Sequence, residues 1–156
     1  EQALRKLSEV GADWVQIDEP CLGLKLNNVQ RAAFGRAYAQ LSASAPKLKI
    51  LLAIYFSDLR DNLQTALGLP VSGIHVDLVR GPNQLGDILP KLPEGMMLSL
   101  GLVDGRNIWK TNLTKALAVL DKAILVLGNK RIFIAQHRDD MWSFRNILLV
   151  TIKKNI

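Results

Sequence analysis

The chain has 156 residues, of which 49% are hydrophobic and 22% are charged, a composition that is typical of one globular domain and excludes a disordered chain. Its single cysteine, Cys21, excludes an intramolecular disulfide and a cysteine-rich zinc site. The net charge is +6, but the basic residues are scattered, and no apolar run approaches the roughly 20 residues that span a bilayer, so neither nucleic-acid binding nor a membrane segment is expected.

The first element in chain order is a charged amphipathic helix over 1–10, which is unlike a signal peptide, so a cytoplasmic location is expected. Five short segments rich in Val, Ile and Leu then predict strands buried on both faces, at 13–17, 50–56, 73–79, 97–102 and 131–135. Helical spacing predicts helices at 28–42, 58–68, 83–89 and 112–127. In the last helix Asn112 is the expected cap and Gly128 the expected stop.

The alternation of strand and helix predicts an α/β fold, because strands separated by helices pair in parallel through right-handed crossovers. A doubly wound open sheet and a β/α barrel both have such strands. The dinucleotide motif Gly-x-Gly-x-x-Gly and the phosphate loop Gly-x-x-x-x-Gly-Lys are both absent from the sequence, which counts against a nucleotide-binding domain.

Polar side chains collect at the carboxyl ends of the predicted strands, where β/α folds keep their sites. The candidate substrate-binding residues are Asp18, Glu19, His75, Asp77, Asp104 and Arg106. Because side chains alternate along a strand, Gln16 and Asp18 share one face and Glu19 turns away, while His75 and Asp77 face the barrel interior or mouth.

Each candidate has more than one interpretation. Asp18 either reaches a mouth that substrate or water enters, or is paired with a neighbour such as Arg80 or Arg106. His75 and Asp77 form either a base with its orienting partner or a satisfied interior pair, and no third metal ligand stands at a sensible spacing. Asp104 and Arg106 belong to a turn, from which Arg106 could clamp an anionic substrate.

Several stretches occur in an order that resembles the amino-terminal domain of cobalamin-independent methionine synthase. They are GADWVQIDEP, the DNL after the second strand, LPVSGIHVDLVRGPNQL, LSLGLVDGRNIWKTNL and LGNKRIFIA. The resemblance covers the chain to about Ala135, so residues 1–135 are identified as about five strands of an eight-stranded TIM barrel.

The resemblance implies an enzyme of two β/α barrels that transfers a methyl group from a polyglutamylated methylfolate to homocysteine, with zinc activating the thiol. In that family the zinc ligands and homocysteine contacts belong to the carboxy-terminal barrel, where an equivalent Asp-Glu-Pro strand end contributes to the homocysteine site. For this chain the resemblance therefore implies no catalytic residue, metal or cofactor of its own. Asp18 and Glu19 are expected to be a retained copy of that strand end, at the rim of a barrel that has lost the chemistry.

The sequence departs from the family where Gln136 begins, since the family continues with Pro-Ser-Cys-Ser at that point. We recognise no family resemblance in residues 136–156, and Met141, Phe144, Leu148 and Ile152 recur at helical spacing in this tail. We expect a terminal helix over 139–154 that lies against the open sheet, although 147–152 is also a fair strand.

Two functional hypotheses follow. The first is a methionine synthase fragment that is inactive alone, and the second is a non-catalytic folate-binding or interaction module that works with a separate catalytic barrel. In either case an incomplete barrel has open strand edges, through which self-association is expected.

Overall fold

A computed structural model of the chain describes residues 1–55, 57–105 and 108–137. The helices are α1 (Gln2–Glu9), α2 (Asn28–Ser44), α3 (Leu63–Leu67), α4 (Leu85–Ile88) and α5 (Leu113–Leu127). The strands are β1 (Trp14–Asp18), β2 (Lys49–Ile54), β3 (Gly73–Asp77), β4 (Met97–Asp104) and β5 (Ile132–His137). Short 3₁₀ turns cover Pro20–Gly23, Arg60–Asn62, Leu89–Lys91 and Asn129–Arg131. The predicted helix in the tail lies outside the described residues.

The five strands form one sheet in the order β1-β2-β3-β4-β5, and every neighbouring pair is parallel. Sequential strands are therefore neighbours throughout, which is the order of a β/α barrel and not of a doubly wound sheet whose strand order reverses. The predicted α/β class and the predicted number of parallel strands are confirmed.

One face of the sheet packs against the helices and forms the hydrophobic core. Alternate residues such as Ile50, Leu52 and Ile54 of β2 belong to this core, and all three are buried. Each buried side chain of this size is worth roughly 1.5–3 kcal/mol. The residues between them, Leu51 and Ala53, are also buried but lie outside the core cluster, on the opposite face of the sheet.

The opposite face is concave. Trp14 stands on β1 and Phe133 on β5, the two outer strands of the sheet, and yet their rings meet edge to face with centroids 5.5 Å apart. A flat sheet would separate these strands by about 19 Å, since neighbouring strands lie roughly 4.7–4.9 Å apart. The sheet is therefore curled like part of a barrel wall.

Two predictions about the elements are wrong in more than the end residues. The strands are not all buried on both faces, because β1 is half-buried and its last residue, Asp18, is exposed. The helix predicted at 58–68 is instead the 3₁₀ turn Arg60–Asn62 followed by α3, and Arg60 has a φ of 42° that no α-helix contains.

The predicted limits of the last helix are confirmed. The Asn112 side chain accepts a hydrogen bond of 3.0 Å from the Lys115 backbone N–H, and Gly128 ends α5 with a φ of +73°. Within the residues that the structure describes, none of the helices is long and apolar enough to cross a membrane.

Candidate functional site

A row of aligned residues crosses the concave face of the sheet. In the strand register Asp18 pairs with Ala53, Ala53 with His75, His75 with Ser99, and Ser99 with Phe133. Aligned residues of parallel strands point to the same face, so these five side chains share the concave side. Asp18 is the last residue of β1, whereas His75 lies in the middle of β3. The strands are shifted along their axes relative to each other, so the two residues stand at the same height in the sheet.

Hydrogen bonds and a ring contact join four strands across this face. The amide Nε2 of Gln16 donates to Asp18 Oδ1 and to the Tyr55 hydroxyl, both at 2.7 Å. The Tyr55 ring lies 4.9 Å from the His75 ring, and His75 Nδ1 is 2.9 Å from Ser99 Oγ. We call these five residues, Gln16, Asp18, Tyr55, His75 and Ser99, the concave polar row.

The electrostatics of the row keep Tyr55 protonated. The pKa of Tyr55 is raised to about 12, chiefly by burial and then by the negative charge of Asp18, while the hydrogen bond from Gln16 acts in the opposite direction. A phenol with this pKa is neutral at physiological pH. Tyr55 therefore offers a hydroxyl for hydrogen bonding and is unsuited to act as a base.

His75 belongs to the interior of the sheet and not to an exposed rim, since only 1% of it is accessible. Gly101 on β4 makes room for the imidazole, because a Cβ at that position would lie 3.1 Å from His75 Cε1. The ring is held between Tyr55 and Ser99. Of the interpretations left open by the sequence, this packing favours a buried structural histidine.

Asp77 is the last residue of β3 and is fully buried. Its Oδ1 accepts hydrogen bonds of 2.9 Å from the backbone N–H groups of Val79 and Arg80. Gln84 Nε2 donates to the Asp77 carbonyl oxygen at 2.9 Å. These bonds turn the chain out of the strand, as short acidic side chains commonly do.

Glu19 turns away from the concave face, as the alternation predicts. Its carboxylate accepts a hydrogen bond of 3.0 Å from the hydroxyl of Tyr38 on α2. Tyr38 is buried, and burial together with the negative charge of Glu19 holds the pKa of this phenol far above its usual range. Glu19 thus ties the end of β1 to a helix.

Asp18 is the exposed member of the candidate set. Within the described part of the chain its carboxylate accepts a hydrogen bond from Gln16, and the ion pair with Arg80, one of the alternatives that the sequence left open, is not formed. The alternative pair with Arg106 falls outside the described residues. Asp104 ends β4 and lines a shallow groove with Trp109 and Lys110. Arg106, the remaining candidate, lies outside the described residues.

Sequence reasoning missed Tyr55 and Ser99 as members of the row. Ser99 interrupts the apolar stretch of β4, which is the signal that could have drawn attention to it. Tyr55 follows β2 at the step of two that places it on the same face as Ala53. Among the described residues, no three His, Cys, Asp or Glu side chains are grouped so that they could hold a metal ion.

The sequence matches a known family. The model of the family described as "Cobalamin-independent synthase, N-terminal domain" matches residues 1–127. The chain is similar to the 5-methyltetrahydropteroyltriglutamate–homocysteine methyltransferase of Parvibaculum lavamentivorans, with 52% identity over 136 residues, covering 86% of this chain and 18% of the relative. The enzyme of the same name from Caulobacter vibrioides is 46% identical over 134 residues, covering 86% of this chain and 17% of that relative.

A solved structure has the same fold. It is a protein of Listeria monocytogenes assigned to the vitamin-B12-independent methionine synthases, and it matches with a TM-score of 0.64 at 12% sequence identity. The match covers 86% of this chain and 44% of that chain. This chain thus spans about a sixth of the length of the curated relatives that it matches.

Proposed function

The chain belongs to the family of the cobalamin-independent methionine synthase amino-terminal domain, and we propose that it forms part of the amino-terminal barrel of a methyltransferase. The proposed reaction moves a methyl group from 5-methyltetrahydropteroyltriglutamate to homocysteine, as the names of the relatives say of them. The observation that carries the proposal is the family match over residues 1–127, which coincides with a curled parallel sheet. The cytoplasm is the proposed compartment.

We propose that the chain is inactive alone and serves as a frame. Glu19 holds helix α2, Asp77 closes the turn after β3, and His75 is packed inside the sheet. Asp18, which is exposed, and Asp104, which lines a groove, remain the candidates for contact with substrate.

The zinc that the family uses does not fit the described residues of this chain. A catalytic zinc site needs three protein ligands of suitable chemistry, and such a group is missing from the part of the chain that the structure describes. No step of the reaction is therefore assigned to a metal held by this chain.

A folate-binding module that works with a separate catalytic barrel is the second candidate function. The observation that favours it is the net charge of +6, which attracts the anionic glutamate tail of the substrate. Such attraction weakens as salt screens the charges, with a Debye length of about 10 Å at 0.1 M ionic strength.

Two measurements on the purified chain separate these functions. The first is methionine formation from 5-methyltetrahydropteroyltriglutamate and homocysteine with added zinc, with the Parvibaculum lavamentivorans enzyme as the active control. We expect no methionine above the blank, and turnover by the chain alone would contradict the proposed frame role. The second is calorimetric titration with the triglutamate and monoglutamate forms of the folate. Binding that requires the triglutamate tail and weakens with salt would favour the module.

A further inference from the structure

A pocket of about 520 Å³ opens at the amino end of the sheet, at the opposite edge from Asp18 and Asp77, which end their strands. Three of the residues that line it, Trp14, Lys49 and Met97, are the first residues of β1, β2 and β4. The volume is in the range of small-molecule sites, which hold roughly 300–1,000 Å³. The proposed function does not use this pocket.

One part of the pocket wall is apolar. Leu67 ends α3, and Leu69 and Val71 lie in the loop that leads from α3 to β3. Met96 precedes β4 and Met97 begins it. Leu67, Leu69 and Met96 are buried, and the other two are half-buried. This wall suits an aliphatic group of a ligand, because removing apolar surface from water is favourable.

The loop at 93–96, which forms another part of the wall, is held by hydrogen bonds within the protein. Arg131 Nη2 donates to the carbonyl oxygens of Pro93 at 2.7 Å and of Met96 at 3.0 Å. The backbone N–H of Met96 also donates to the Pro93 carbonyl oxygen, at 3.2 Å. Gly95 allows this tight turn with a φ of +80°. The wall is therefore preformed, which lowers the cost of binding a ligand.

Two side chains of opposite charge line the pocket. Lys49 Nζ stands over the Trp14 ring, 5.5 Å from its centroid, and this contact orients the ammonium group. Glu94 lies on the loop at 93–96 and is exposed. Lys49 and Glu94, both within the described part of the chain, do not form an ion pair with each other. Each can therefore bind a charged group of a ligand.

We propose that this pocket binds an α-amino acid with an apolar side chain. The carboxylate of the ligand accepts hydrogen bonds from Lys49 Nζ, and its ammonium group donates to the carboxylate of Glu94. Its side chain lies against the apolar wall. A zwitterion matches both protein charges, whereas an apolar anion or an apolar amine matches only one of them.

Calorimetric titration of the full chain with L-leucine tests the proposal. We expect a Kd tighter than about 10 mM. Two analogues of the same carbon skeleton test the charged groups of the ligand: 3-methylbutylamine lacks the carboxylate, and 4-methylpentanoate lacks the ammonium group. Each is expected to bind about tenfold more weakly than leucine or worse, because a charge-assisted hydrogen bond is lost.

Two substitutions test the charged groups of the protein. Lys49→Met should weaken leucine binding about tenfold and remove the preference for leucine over 3-methylbutylamine. Glu94→Gln should remove the preference for leucine over 4-methylpentanoate. Both positions are exposed, so the variants are expected to fold. The matched control is Lys47→Met, which changes the net charge equally at an exposed position that does not line the pocket, and should bind leucine like the parent.

The other outcomes overturn the proposal. No binding of leucine in the stated range would show that the pocket does not take an amino acid. Leucine binding that both Lys49→Met and Glu94→Gln leave unchanged would place the ligand elsewhere on the chain. Equal binding of leucine and 4-methylpentanoate to the parent would show that the ligand class is an apolar anion. An equal loss in Lys47→Met and Lys49→Met would show that net charge, and not a contact in the pocket, controls binding.

Discussion

Trp14 and Phe133 touch edge to face across the concave side of the sheet, with ring centroids 5.5 Å apart, although they stand on its two outer strands. The first and fifth strands of an eight-stranded barrel lie opposite each other, and the interior of such a barrel is filled with layered side chains. The two rings can meet only if the sheet is curled. The interaction energy between them, which mutagenesis can measure, therefore reports on the curvature.

A double-mutant cycle measures that interaction. Trp14→Leu, Phe133→Leu and the double variant each remove aromatic character while keeping apolar bulk. We expect a coupling of about 1 kcal/mol in the free energy of unfolding by urea, the value typical of edge-to-face pairs. Additive effects of the two substitutions would show that the rings do not meet in solution and that the sheet is flatter.

Asn62 clamps the loop that follows β1. Its Nδ2 donates to the carbonyl oxygens of Leu22 at 2.8 Å and Leu24 at 2.6 Å, and its Oδ1 accepts from Arg31 Nε at 3.1 Å. Because Asn62 is buried, Asn62→Ala leaves these groups without their partner and should cost about 2–4 kcal/mol of stability in urea unfolding.

The control for this clamp is Arg31→Ala, which removes only one hydrogen-bond partner of Asn62, a side chain that is itself partially exposed. It is expected to cost less than 1 kcal/mol, in the range of exposed polar contacts. An Asn62→Ala variant as stable as the parent would refute the clamp.

The Tyr38–Glu19 hydrogen bond should fix the Asp-Glu-Pro end of β1 to helix α2. Tyr38→Phe keeps the ring that stacks near Phe34 but leaves the Glu19 carboxylate without its donor. We expect a loss of about 1–2 kcal/mol in the free energy of unfolding. Phe34→Leu, which alters the same ring contact without touching the hydrogen bond, is the matched control. Equal stability of Tyr38→Phe and the parent would contradict this role of Glu19.

Alkaline pH should destabilise the protein partly through Tyr55. Its pKa is about 12 in the folded chain and 10 in the unfolded one. The contribution of the neutral Tyr55 side chain to the stability of the folded state is therefore complete below pH 10 and is lost as the pH rises through 12. Between these values the parent should lose on the order of 1 kcal/mol more stability than Tyr55→Phe. If the free energy of unfolding falls equally with pH in the two proteins, the Tyr55 phenol is not buried and neutral as described.

The alternation of strand and helix could be predicted because it is written in local spacing and apolar runs. The predicted ends of strands were less accurate where a side chain bonds to the backbone and ends the strand early. The strand predicted at 73–79 ends at Asp77, because its carboxylate captures the backbone N–H groups of Val79 and Arg80 and turns the chain.

The candidate site was only partly predictable, for a related reason. Strand alternation shows that Gln16 and Asp18 share a face, and that face is concave in the structure. The contact of Tyr55 with His75, and of His75 with Ser99, depends on the register between different strands. Register is set by non-local pairing, which local periodicity does not encode.

The most direct test of the central claim is a graft into a relative. Residues 1–135 of this chain replace the corresponding segment of the Parvibaculum lavamentivorans methyltransferase, to which the chain is 52% identical over 136 residues. The graft is compared with the parent enzyme for methionine formed from 5-methyltetrahydropteroyltriglutamate and homocysteine, after circular dichroism has established that it is folded. If the segment is an equivalent part of the amino-terminal barrel, the folded graft forms methionine within about tenfold of the parent rate. A folded graft without methyl transfer would contradict the account.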